Sequence, residues 1–259
     1  MDNPSLAAAP SLAWLLVIVA LAAIVWAATM LRRVVLIGAA YKTKVLATAW
    51  FTCGRPIDVA TADEVAADSY RFMRLFRAQV DRGAGTVTTR VLGLGLQRAA
   101  ACDGFGATLT PTDPPYALSA PLPHHGADAW PRTPGAARLD DAVARWFSEP
   151  DPARLRRTRA VVVVRGGAIV AERYADGFGP ESRFPGWSVA KSVIPALVGI
   201  LVGEGRLSLD DRALMPAWRG HDPRAAITLE DLLRMRSGLR FREIYTRPWS
   251  DVLQMLYLE

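Results

Sequence analysis

From Leu12 to Leu31 the chain reads LAWLLVIVALAAIVWAATML, with no charge anywhere in the run. About 20 apolar residues are what a helix needs to cross the hydrocarbon layer of a bilayer, and no water-soluble fold has an easy use for a helix without a polar face. Trp14 and Trp26 stand near its ends, where indole rings favour the interface. The preceding MDNPSLAAAP carries no basic residue and the apolar run is long for a cleaved signal, so a retained anchor over residues 12–31 is expected, with residues 1–11 as a tail. The bilayer is therefore one expected partner.

Beyond the run, 51% of all residues are hydrophobic, enough for a sizeable core in the remaining chain. The formal charge of +6 comes from scattered arginines, and no basic stretch alternates with aromatics as a nucleic-acid groove requires, so no nucleic-acid partner is expected. The cluster Arg154, Arg156, Arg157, Arg159 reads as a solvated face. Cys53 and Cys102 fit no metal-ligand spacing; whether they pair is open. Three histidines, His124, His125 and His221, do not suggest a metal centre, and no metal or cofactor is expected.

Residues 32–109 read as a small α+β region. ADEVAADSY (62–70) is expected to be helical, with Thr61 as its cap. The runs RLFRAQVD and TVTTRVLGL around RGAG form a hairpin, and QRAAACDGFGATLT extends its sheet. The proline-dense segment 110–137 is a connector carrying His124 and His125. ARLDDAVARWFSE then has helical spacing, and AVVVVRGGAIVAERY gives two strands around Gly166-Gly167. SVAKSVIPALVGILVGEG is apolar on nearly every side and is expected to be a helix buried at the centre of a domain, with Pro195 kinking it. ITLEDLLRMRSGL is a short helix capped by Thr228.

Of the 31 basic residues only Lys42, Lys44 and Lys191 are lysines. Arginine stays protonated in proteins, whereas a lysine can give up its proton and act as a base. Ser188 and Lys191, three apart at the start of the apolar helix, are expected on one face within hydrogen-bonding reach, a nucleophile and base pair. Burial of the first turn would favour the neutral amine, and the helix amino terminus would stabilise an oxyanion. The alternative is an ordinary helix cap at Ser188 with Lys191 extended to solvent.

The ordered run GWSVAKSVIPALVGILVGEGRLSLDD, ITLEDLLRMRSGLRF and REIYTRPWSDV resembles the serine β-lactamase and penicillin-binding-protein superfamily, nearest to class C-like hydrolases of the 6-aminohexanoate-dimer hydrolase group. The resemblance covers residues 138–259, and the segment from about 40 to 109 resembles the leader of bacterial members. It implies an α+β, β-lactamase/transpeptidase-like fold, an antiparallel sheet with a helical subdomain. It also implies Ser188 as the acylated nucleophile, Lys191 as its general base, and Tyr245 as a loop residue closing over a small-molecule amide or ester. The alternative for Tyr245 is a packed loop aromatic.

The family's second motif, Tyr-x-Asn, and its third, Lys-Thr-Gly or His-Thr-Gly, do not occur after Ser188. The expectation is a membrane-anchored serine hydrolase, incomplete at its carboxy terminus and inactive as a truncated chain. Two alternatives stand: a non-catalytic anchored remnant or binding protein, and an α/β-hydrolase using GWSVA as a nucleophile elbow. Arg32, Arg33, Lys42 and Lys44 after the span would put the rest of the chain in the cytoplasm by the positive-inside rule. The resemblance implies a periplasmic or extracellular hydrolase part instead, and the expectation follows it.

Overall fold

A computed structural model of the chain describes residues 12–65, 67–102, 106–110, 130–133, 135 and 137–258. The chain divides into two compact units, one running to Arg183 and resuming at Tyr245, the other comprising Phe184–Ile244.

The first unit is organised on one long helix, α1 (Leu12–Ala47), rich in Leu, Ala and Val. It is long and apolar enough to cross a membrane by length and composition. Residues 12–29 are all exposed, whereas burial sets in from Gly38, with Ala39, Ala40 and Leu46 completely enclosed. Small residues allow the close approach: a Cβ at Gly38 would stand 2.9 Å from the Phe76 ring. The helix closes with a π-type turn at Thr48–Thr52, where the Cys53 N–H bonds the Thr48 carbonyl.

Against the second half of α1 lies an antiparallel meander, β1 (Arg77–Asp81), β2 (Thr86–Val91), β3 (Leu94–Cys102) and β4 (Gly106–Leu109), in the order β1-β2-β3-β4. Registers Val80↔Val87 and Ala99↔Leu109 align its apolar positions, and Leu46, Val65, Met73, Phe76, Val87 and Ala99 form the core. Full burial of a residue such as Leu46 or Val87 contributes roughly 1.5–3 kcal/mol. The expected hairpin and its extension are both present. Lys42, 4% exposed, fastens the layers by donating from Nζ to the carbonyls of Met73 (3.1 Å) and Phe76 (2.7 Å).

The helix expected at 62–70 is replaced by shorter turns. α2 (Ile57–Ala60) leads into a π-type turn at Thr61–Val65, and a 3-10 segment covers Asp68–Leu75. Thr61 is not an amino-terminal cap; its hydroxyl donates back to the Ile57 carbonyl (2.6 Å), the local bond that threonine offers a preceding turn. Glu64 pairs with Arg55 and, at 3.1 Å, with Arg159. Both guanidinium groups lie over the Phe178 ring, at 5.4 and 5.7 Å. Arg159 therefore leaves the solvated face predicted for its cluster, while Arg154 and Arg156 stay exposed.

α3 (Ala137–Trp146) packs on a second hairpin, β5 (Ala160–Arg165) and β6 (Ala168–Tyr174). Its two-residue turn places Gly166 at φ 57° and Gly167 at φ 77°, conformations that side-chain-bearing residues resist. Residues 131–133 run beside β6 through Ile169 N–H to Pro131 O (2.7 Å) and Thr133 N–H to Ile169 O (3.0 Å). His124, His125 and most of the proline-rich connector lie outside the described residues. α6 (Asp251–Tyr257) returns to α1, burying Val252, Leu253 and Tyr257 around Ala40.

The second unit contains α4 (Ala190–Gly203), α5 (Leu229–Leu233) and short 3-10 turns. Thr228 caps α5 as expected, in a reciprocal box with Asp231. The expectation that α4 is buried fails, because none of its residues is buried and Val193, Ile194, Leu197 and Ile200 are about half exposed. The physical reason is local: the neighbouring elements of this unit are turns and a five-residue helix, too short to cover a helix of 14 residues.

Candidate active site

Ser188 lies in a 3-10 turn, Trp187–Val189, which leads directly into α4. The turn is closed by the Val189 N–H donating to the Gly186 carbonyl at 2.8 Å. Trp187 sits at φ 41°, a left-handed conformation that costs a bulky residue about 1–2 kcal/mol. Such strain persists only where neighbouring structure holds it, and here it immediately precedes the serine. The helix thus begins two residues later than the serine, with Ser188 one turn ahead of Lys191.

Lys191 Nζ donates to Ser188 Oγ at 3.1 Å, so the two side chains share one side of the turn as the spacing requires. Both residues are exposed. The burial expected to enclose Lys191 is missing for the same reason that α4 is uncovered. Pro195 falls inside α4, which continues through it to Gly203.

Tyr245 belongs to the first unit and is about half exposed. It lines an apolar cavity of about 410 Å³ with Ile37, Tyr41, Tyr70, Leu253 and Tyr257. Tyr41 and Tyr257 meet edge to face at 6.0 Å, and the Tyr41 hydroxyl donates to the Glu64 carbonyl. Burial, then the adjacent Tyr41 phenol, pushes the Tyr257 phenol above its ordinary value. This aromatic chamber was missed from the sequence; the available signal was Ile37, Gly38 and Tyr41 on one turn of helix.

Residues 175–187 supply turns and no strand, so GWSVA lacks the strand that a nucleophile elbow requires, and the α/β-hydrolase alternative is set aside. Among the described residues no group of three or more His, Cys, Asp or Glu side chains is placed to hold a metal ion. Cys53 carries a free thiol, and burial raises its pKa above the usual value.

Residues 135–256 match the Beta-lactamase family model. A 6-aminohexanoate-dimer hydrolase of Paenarthrobacter ureafaciens is 31% identical over 126 residues, which is 47% of this chain and 32% of the relative. The match therefore spans about a third of the length of this relative. Ser188, Lys191 and Tyr245 all fall inside the matched stretch. With its mixed helices and antiparallel strands, the chain is similar, through residues 135–256, to the serine β-lactamase-like superfamily.

Proposed function

We propose that this chain is the anchored, nucleophile-bearing part of a serine hydrolase that transfers the acyl group of a small amide or ester. The observation that carries the reading is the 3.1 Å contact between Lys191 Nζ and Ser188 Oγ, next to the left-handed Trp187 and inside the family match.

The chemistry follows from that contact. The Lys191 amine, as general base, takes the Ser188 hydroxyl proton as Oγ bonds to the substrate carbonyl carbon. The resulting oxyanion lies beside the N–H groups that open α4. Collapse expels the amine or alcohol, which takes its proton from Lys191, and water then hydrolyses the acyl-serine by the same steps. Neither a metal nor a cofactor enters. Tyr245 is proposed to close over the substrate; an amide is favoured because the relative is a 6-aminohexanoate-dimer hydrolase.

Residues 12–31 would hold the hydrolase at the membrane, on its periplasmic or outer side. Turnover in this family draws on a Tyr-x-Asn and a Lys-Thr-Gly or His-Thr-Gly segment. Neither occurs between Ser188 and Glu259.

A second reading, an anchored non-catalytic binding protein, is favoured by one observation, the uncovered apolar surface of α4. A fluorophosphonate or penicillin-type probe separates the two. In a protein that carries this chain together with both further motifs, the hydrolase reading expects a single labelled serine, lost in Ser188→Ala. Labelling that survives the change refutes the assignment, and absence of any labelling supports the binding protein.

A further inference from the structure

The far end of the meander carries leucines where a soluble hairpin carries polar residues. Val91 pairs with Leu94, so Leu92 and Gly93 form the turn, at φ 47° and 76°. Two-residue turns of this hand favour Asn or Asp at the first position; here the residue is leucine, and it is 95% exposed. Leu94 and Leu96 are 65% and 63% exposed, and Leu75 is 70% exposed. Leu75 and Leu92 line one surface hollow together with Arg74, Arg77 and Arg90. Residues 69–80 and 82–101 contain no acid, so the leucines are edged by positive charge alone.

The position of this tip on α1 is set by contact. Gly95, at φ 64°, lies so near Val35 that a Cβ there would run into the Val35 side chain. Val35 is one helical turn beyond Leu31, or about 6 Å along the axis, where a bilayer-length helix leaves the hydrocarbon for the headgroups. Arg32 and Arg33 occupy that same turn.

Exposed leucines at this level, continuous with an apolar helix and rimmed by arginines, fit one occupant. We propose that the β2–β3 tip and Leu75 enter the boundary between headgroups and acyl chains of an anionic bilayer beside α1, with Arg74, Arg77 and Arg90 against lipid phosphates. The inference rests on the reading of residues 12–31 as a membrane span.

The test uses the full chain with Cys53 and Cys102 replaced by serine, in lipid nanodiscs holding one copy each. A polarity-sensitive dye is placed at Leu92→Cys, at Gly83→Cys on the opposite end of the sheet, or at Ala20→Cys within the span. In phosphatidylcholine discs containing phosphatidylglycerol, the dye at 92 is expected to be about tenfold less accessible to an aqueous quencher than the dye at 83. Arg→Gln changes at 74, 77 and 90 should each weaken that protection by up to about fivefold, and so should discs of phosphatidylcholine alone.

Equal quenching at 92 and 83 with position 20 in the acyl region overturns this inference and leaves the span standing. A quenched position 20 overturns both. Protection that is indifferent to phosphatidylglycerol and to the arginines overturns the anionic contact. Protection seen only with two copies per disc means that a second chain covers the leucines, and also overturns the proposal.

Discussion

The Lys42 ammonium donates to the Phe76 carbonyl at 2.7 Å and to the Met73 carbonyl at 3.1 Å, tying α1 to the turn that launches β1. Lys42→Met keeps the stem and removes the ammonium from both carbonyls; Met73 O keeps the Phe76 N–H at 3.2 Å, whereas Phe76 O loses its Lys42 donor. The expected loss is about 1–3 kcal/mol, the cost of one buried group left unsatisfied. Denaturant unfolding of the detergent-solubilised chain measures it, and an unchanged midpoint would show that water replaces the ammonium.

Gly95 combines a left-handed backbone with a close approach to Val35. Gly95→Ala should therefore cost about 2–4 kcal/mol, from conformational strain plus overpacking. Gly93 has the same hand but open space around it, so Gly93→Ala should cost only the conformational part, about 1 kcal/mol. Equal losses at the two positions would remove Val35 from the explanation.

Glu64 is the shared acid of Arg55 and Arg159. Glu64→Gln removes the counter-ion of Arg159 and leaves Arg55 with Asp63 alone, at 3.2 Å, and should destabilise the first unit by about 1–3 kcal/mol. Replacing Arg159 as well by leucine should recover part of that loss, which a double-mutant cycle reads directly.

The cap of α5 should respond to acid. The Asp231 carboxylate accepts from the Thr228 hydroxyl at 2.8 Å and from its N–H at 3.2 Å, and these bonds hold its pKa below the ordinary 3.8. A carboxyl lowered in the folded state contributes stability that is complete above the unfolded value and is lost as pH falls through the folded one. The first turn of α5 should accordingly loosen below about pH 3.8, seen as faster exchange of the Asp231 amide. In Asp231→Asn that acid step should vanish; a step that remains assigns it elsewhere.

What the sequence made legible was periodicity and turn chemistry. Glycine pairs, consecutive valines and the Thr228 cap are local signals, and the strands and caps that they announce are in place. Burial was not legible in the same way. α4 is apolar all round, which predicts a core position, yet whether a helix is covered depends on what packs against it rather than on its own composition. The rarity of lysine drew the reading to Lys191, whose Nζ stands 3.1 Å from Ser188 Oγ. The same rarity applied to Lys42, the lysine that is almost fully buried, but its partners are backbone carbonyls 31 and 34 residues away and leave no trace in side-chain spacing. The aromatic chamber around Tyr245 gathers residues from both ends of the chain, which no local pattern reports.

The rate at which Ser188 is acylated, with lysine or arginine at position 191, probes the proposed pairing most directly. It is measured with a fluorophosphonate on a protein that includes this chain and both further family motifs. Arginine keeps the positive charge but does not accept a proton, so Lys191→Arg should slow labelling of Ser188 by about 100-fold or more. Labelling at the unaltered rate would contradict the role of Lys191 as the base.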